Sequence, residues 1–116
     1  SIIYIEELAE NLASVIDEKT LVVASSDLSH FYSKDKAKQL DSLVEKHIAN
    51  FDYELLLNDL ERNKCEACGG GAIVTLMKTA GLLNIKKSKV LSHTDSGDVT
   101  GDYTEVVGYL SAVIYN

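Results

Sequence analysis

The sequence predicts an α/β domain in which amphipathic helices cover a small sheet. Three observations carry that prediction. Apolar residues recur at three- and four-residue steps between Ile5 and Ile16, the spacing of one helix face. An unbroken β-favouring run, Leu21-Val22-Val23-Ala24, follows after a polar stretch, and a longer β-rich segment runs from Glu105 to Tyr115.

Taken in order, the first helix buries Ile5, Leu8, Ala9, Leu12 and Ile16, and leaves Glu6, Glu7, Glu10 and Asn11 to solvent. Leu21–Ala24 is predicted to be a strand covered on both faces, with Ser25-Ser26-Asp27-Leu28-Ser29-His30 at its carboxyl end. Ser33 can cap a second helix, because its hydroxyl can accept a free N–H of the first turn, and its core positions are Ala37, Leu40, Leu43, Val44 and Ile48. Asp52 caps a third helix carrying Leu55, Leu56 and Leu60. Gly69-Gly70-Gly71 opens a fourth, Ala72 to Ala80, whose nearly continuous apolar content predicts burial and whose stop is Gly81. Lys89–Thr94 then reads as a strand, Asp95–Asp102 as a loop, and Glu105–Tyr115 as a strand that can pair with it in a hairpin.

No proline, repeat or low-complexity linker divides the 116 residues, so they read as one unit. Four helices and three strands are nevertheless few for a closed three-layer α/β core, and the fold reads as incomplete by itself. Eighteen acidic against eleven basic residues give a net charge of −7, which argues against nucleic acid, since phosphate binding needs a concentrated positive footprint. No apolar run approaches the roughly 20 residues needed to cross a bilayer, which argues against a membrane segment. The two cysteines, Cys65 and Cys68, are too close together to staple distant parts of a fold, and a reducing, cytoplasmic setting suits them.

Ligand sites in open α/β sheets gather at the carboxyl ends of strands, where loops can project polar groups. The Ser25–His30 segment lies at such an end. Asp27 and His30 are three residues apart, so both can face one cavity, and a carboxylate beside an imidazole suits metal ligation or general acid–base work. The alternative is that Ser26 or Asp27 caps a turn and His30 packs on Phe31-Tyr32. Cys65-Glu66-Ala67-Cys68 lacks the further ligands of a structural zinc site. Cys68, next to a glycine-rich helix start that favours thiolate, is the stronger candidate for a soft metal ligand or nucleophile; a buried inert thiol is the alternative. The triple glycine is no P-loop, because no Lys-Ser or Lys-Thr follows. Asp95, Ser96, Gly97, Asp98 and Asp102 match a calcium loop only loosely and read as turn formers that can line the pocket. His93 is a weak ligand candidate, and His47 reads as a solvated or packed helix residue.

In chain order, Leu21-Val22-Val23-Ala24-Ser25-Ser26-Asp27-Leu28-Ser29-His30, Cys68-Gly69, Ser96-Gly97-Asp98-Val99-Thr100-Gly101-Asp102 and Val106-Val107-Gly108-Tyr109 resemble the Memo family, which includes AmmeMemoRadiSam system protein B. The resemblance spans nearly the whole chain, although the family pattern continues after Cys-Gly with an arginine where this chain has Gly70. It covers the C-terminal part of a family member, less than half its length. The N-terminal part, which supplies two metal-binding histidines, has no counterpart here.

The resemblance implies a three-layer α/β/α sandwich with a central mixed sheet, similar to the class III extradiol dioxygenases, and a pocket for iron or copper. Carried over, Cys68 stands at the thiolate ligand, and Asp27 and His30 at pocket residues, His30 where the dioxygenases place an acid–base histidine. The expected activity is metal-dependent redox or dioxygenase-like chemistry on a small-molecule substrate, with a partner chain supplying the N-terminal half. The expected alternative is a non-catalytic module that binds a peptide or protein in the same cleft, with Phe31, Tyr32 and Tyr103 as contact residues.

Overall fold

A computed structural model describes residues 2–116. The chain forms helix α1 (Ile2–Val15), strand β1 (His30–Tyr32), helices α2 (Lys34–Ala49), α3 (Tyr53–Glu61) and α4 (Gly70–Leu82), strand β2 (Lys87–Asp95), the short helix α5 (Gly97–Thr100) and strand β3 (Val106–Tyr115).

The helix starts follow from their caps. Ser33 Oγ accepts the Lys36 N–H, and Asp52 Oδ1 accepts the Leu55 N–H, so each side chain satisfies a donor that has no carbonyl within its helix. Three helix ends share one device. Phe51, Asn63 and Asn84 take left-handed φ of 53°, 57° and 60° after α2, α3 and α4. The next N–H in each case reaches back to an orphan carbonyl: Asp52 to His47, Lys64 to Asp59, Ile85 to Ala80. Helix α4 therefore runs through Gly81, which the sequence suggests as its stop, and turns at Asn84 instead. It also begins at Gly70, earlier than Ala72. Val74, Thr75, Met77 and Thr79 are buried, while Ala72 and Leu82 are exposed, so the predicted burial holds for only part of the helix.

The described strands form one sheet in the order β1-β3-β2, with both pairings antiparallel. The β2–β3 hairpin is in register from Lys87 opposite Tyr115 to Asp95 opposite Gly108, with an irregularity between Val90 and Ser92. Helix α2 packs across all three strands, α3 bridges α2 and α4, and α1 lies along α4. Their common core is Ile5, Leu28, Val44, Ile48, Leu56, Cys65, Val74 and Met77, closed by Val90, Leu110 and Ile114 of the hairpin. The chain is thus an α/β structure with an open sheet, compatible with an α/β sandwich.

Leu21–Ala24 corrects one expectation. The segment is no strand, and only one of its sides is covered: Val22 and Ala24 are half-buried, while Leu21 and Val23 are 86% and 75% exposed. The physical reason is the lack of a ladder partner among the described residues, since β3 pairs with β1 only at its first residues, Val106 and Val107. Beyond that point an apolar cavity of about 430 Å³ separates Val22 and Ala24 from Ala112 and Ile114 of β3 and from Met77 of α4. Both pairings among the three described strands are antiparallel.

Candidate metal centre

The Ser25–Asp27 segment ahead of β1 and the start of α4 are locked together by hydrogen bonds. Cys68 N–H donates to the Asp27 carbonyl at 3.2 Å, and Gly69 N–H donates to Ser26 Oγ at 2.8 Å. The approach is so close that a Cβ on Gly69 would lie 2.6 Å from the Ser25 carbonyl oxygen and 2.9 Å from Ser26 Cβ. Glycine is therefore required by contact at this position. In return, the Asp27 N–H donates to Cys68 Sγ at 3.3 Å, and the Ser26 hydroxyl lies 3.7 Å from the sulfur.

These groups lower the Cys68 pKa below the ordinary thiol value. The Asp27 N–H is the largest cause, followed by the Ser26 hydroxyl; desolvation and the Asp27 charge oppose them, and the Gly69 N–H adds a smaller lowering. Cys65 is the opposite case. Burial in the core pushes its thiol up to about 11, with the charges of Asp59, Asp41 and Glu66 adding to the rise. The two cysteines of one CxxC thus separate into an exposed, thiolate-prone Cys68 and a buried, inert Cys65.

His30 opens β1 and turns toward the same place. Its Nε2 is 3.6 Å from Asp27 Oδ2, and one ligand atom each from Asp27, His30 and Cys68 all lie within 4.8 Å of one another. Among the described residues this is the single group of three or more such side chains so placed. Phe31, directly after His30, has a left-handed φ of 66° and is 70% exposed, its ring 5.8 Å from the imidazole between centroids. A cavity of about 390 Å³ adjoins the group, lined by His30, Cys68, Leu28, Leu60, Cys65 and Glu66 among others. At its edge the Tyr32 hydroxyl donates to Glu66 Oε2, and this bond, the largest cause, together with the Glu66 charge raises the Tyr32 pKa.

Other sequence candidates lie elsewhere. His93 Nδ1 is 2.9 Å from Glu45 Oε2, away from the three-residue group, and His47 is packed, with Nε2 2.6 Å from Asp59 Oδ2 across α2 and α3. Asp95 and Asp98 flank Lys34 Nζ at 3.7 Å each, and Lys34 lies over the Tyr103 ring. Asp95, Ser96, Gly97, Asp98, Asp102 and Tyr103 line neither of these two cavities. Within the loop region Thr94 donates to Asp98, and that bond is the largest cause holding the Asp98 carboxyl below its usual value. Ser26, Glu66 and Tyr32 in the roles described carry no local signal, since their partners are 34 to 43 residues away in sequence.

An α/β fold with a thiol, an imidazole and a carboxylate gathered where the Ser25–Ser29 segment enters β1 defines the class of site. The family model for Memo-like proteins matches residues 3–113, and the chain belongs to that family. A MEMO1 family protein of Methanococcus vannielii is 36% identical over 107 residues, covering 92% of this chain and 38% of its own length. Those of Thermotoga petrophila and Sulfurisphaera tokodaii are each 38% identical, over 95% and 91% of this chain and 39% and 38% of their own lengths. The chain therefore spans about two-fifths of the length of these curated relatives. No helix among the described residues is long and apolar enough to cross a membrane.

Proposed function

We propose that the chain forms one wall of an iron- or copper-binding pocket serving redox, dioxygenase-like chemistry, with Asp27, His30 and Cys68 facing the metal. The supporting observation is the convergence of three different ligand types, from two separate segments, within 4.8 Å. A thiolate with an imidazole suits a soft or borderline ion such as cuprous copper or ferrous iron, and the carboxylate adds charge balance. Bound there, the metal would supply one-electron redox chemistry and activation of oxygen.

The chain's own groups do the rest. The Asp27 N–H keeps Cys68 available as thiolate, and the Asp27 carboxylate, 3.6 Å from His30, orients the imidazole to take or return a proton. Leu28 and Leu60 give the adjoining cavity apolar walls, and its volume of about 390 Å³ suits a small molecule. Open catalytic metal sites rest on at least three well-placed protein ligands, often held by further groups. Three are gathered here, and, following the family resemblance, we assign two further histidine ligands to the N-terminal part of a family member, carried on the same chain or on a partner chain. Free Cys65 and Cys68 suit a cytoplasmic setting.

Anaerobic titration with Fe²⁺ and Cu⁺ tests the reading. His30→Ala and Cys68→Ala are each expected to weaken binding, and unchanged affinity in both variants would contradict the site. A second reading, a peptide- or protein-binding cleft without catalysis, draws support from Phe31, a large aromatic held exposed beside His30. Pull-down that needs Phe31 and Tyr32 and survives chelation favours this second reading; binding lost on chelation counts against it.

A further inference from the structure

Asp41 is a buried carboxylate that the three-residue group does not use. It lies on α2, 1% exposed, where an ionised group is costly unless its oxygens are satisfied. Its Oδ1 accepts the Ser29 N–H at 3.0 Å, in a fully buried contact. Its Oδ2 occupies the space over Gly108, where a Cβ would fall 1.8 Å from it, so the lack of a side chain on β3 at that residue is what admits the carboxylate. His93 Nε2 stands 4.0 Å from the same oxygen, and His93 is itself held by Glu45.

The opposite edge of the same dipeptide is held by β3. Gly108 N–H donates to the Ser29 carbonyl, and the Gly108 carbonyl accepts the Leu28 N–H, both at 2.9 Å. Ser29 is thus gripped by Asp41 and by Gly108 at once. Immediately after it come His30 and then Phe31, whose left-handed φ of 66° and the pairing irregularity between His30 and Tyr32 make a strained kink. A bulky residue in that region persists only where its surroundings over-determine it.

We infer that Asp41 is a positioning residue: by anchoring Ser29 against Gly108 it fixes the kink that aims His30 at Asp27 and Cys68. The inference rests on the proposed reading of that group as a ligand site. Asp41 itself touches neither ligand nor cavity; it acts through the Ser29 peptide.

Asp41→Ala, which removes the acceptor of the Ser29 N–H, tests it by two readouts on the chain: ring-nitrogen NMR signals of the histidines without metal, and Fe²⁺ affinity under anaerobic conditions. His47 is the internal control, since it lies six residues further along the same helix and pairs with Asp59. The expected result is displaced His30 signals, unmoved His47 signals and Fe²⁺ affinity lower by about tenfold or more, the range for groups that orient metal ligands. Unmoved His30 signals, His30 and His47 moving together, unchanged affinity, or loss of the fold would each overturn the inference and leave Asp41 a structural residue. If His30 moves alone but the unsubstituted chain takes up no Fe²⁺, the positioning role stands and the metal reading fails.

Discussion

Gly69→Ala is the sharpest probe of how the candidate site is assembled. The added Cβ would meet the Ser25 carbonyl oxygen at 2.6 Å and Ser26 Cβ at 2.9 Å, both on or next to backbone with little room to yield. The Ser25–Asp27 segment must then retreat from the start of α4. That movement lengthens the Gly69 N–H bond to Ser26 Oγ and the Asp27 N–H bond to Cys68 Sγ, now 2.8 and 3.3 Å. Overpacking of this kind costs about 1–3 kcal/mol. With about 4 °C of melting temperature per kcal/mol at this chain length, the midpoint should fall by roughly 4–12 °C. The same retreat removes the principal group that lowers the Cys68 pKa, so the pH profile of thiol alkylation should move upward toward an ordinary cysteine. Thermal unfolding and the pH dependence of iodoacetamide labelling at Cys68 measure both effects. An unchanged midpoint with an unchanged labelling profile would refute the reasoning that backbone contact at Gly69 sets the thiolate.

Cys65 makes an alkaline prediction of definite sign. Its folded pKa of about 11 stands above the ordinary thiol value of 9.0, so stability is full below pH 9, where both states are protonated. It falls as the unfolded thiol ionises between pH 9 and about 11, and Cys65→Ala should flatten that part of a urea-midpoint profile. Glu66→Ala removes the acceptor and charge that raise Tyr32, so the Tyr32 phenol should titrate at lower pH than in the parent chain, as followed by NMR of its ring. Asn84→Val places a β-branched residue at φ 60° in the turn after α4 and should cost about 1–2 kcal/mol by denaturant unfolding, whereas Asn84→Gly should cost nothing.

The helices that announce themselves by caps, α2 at Ser33 and α3 at Asp52, are legible because cap and first turn are neighbours in sequence. The hairpin is legible for a similar reason, two β-rich runs around a glycine-aspartate loop. Leu21–Ala24 misleads because an apolar β-favouring run states a demand for cover without saying whether a neighbour meets it, and here Leu21 and Val23 remain exposed. Gly81 misleads because a glycine inside an apolar helix looks like its end, while the left-handed turn is carried by Asn84. Strand β1, three residues long, has too little pattern to be read at all.

Within the site, the Asp27–His30 spacing is local and visible. Cys68 stands out locally by its place before a glycine-rich helix start, but nothing near it in sequence points to Ser26 or Asp27 some forty residues earlier. The grip of Asp41 on Ser29 depends on an empty position at Gly108, a tertiary fit between three elements that no spacing rule encodes.

The central claim, that Asp27, His30 and Cys68 share one metal, is tested most directly by X-ray absorption spectroscopy of the chain loaded with Cu⁺ or Fe²⁺. The account predicts a sulfur neighbour bonded to the metal together with nitrogen or oxygen neighbours, and loss of the sulfur in Cys68→Ala. A spectrum of light-atom neighbours alone, the same in the parent chain and in Cys68→Ala, would contradict it.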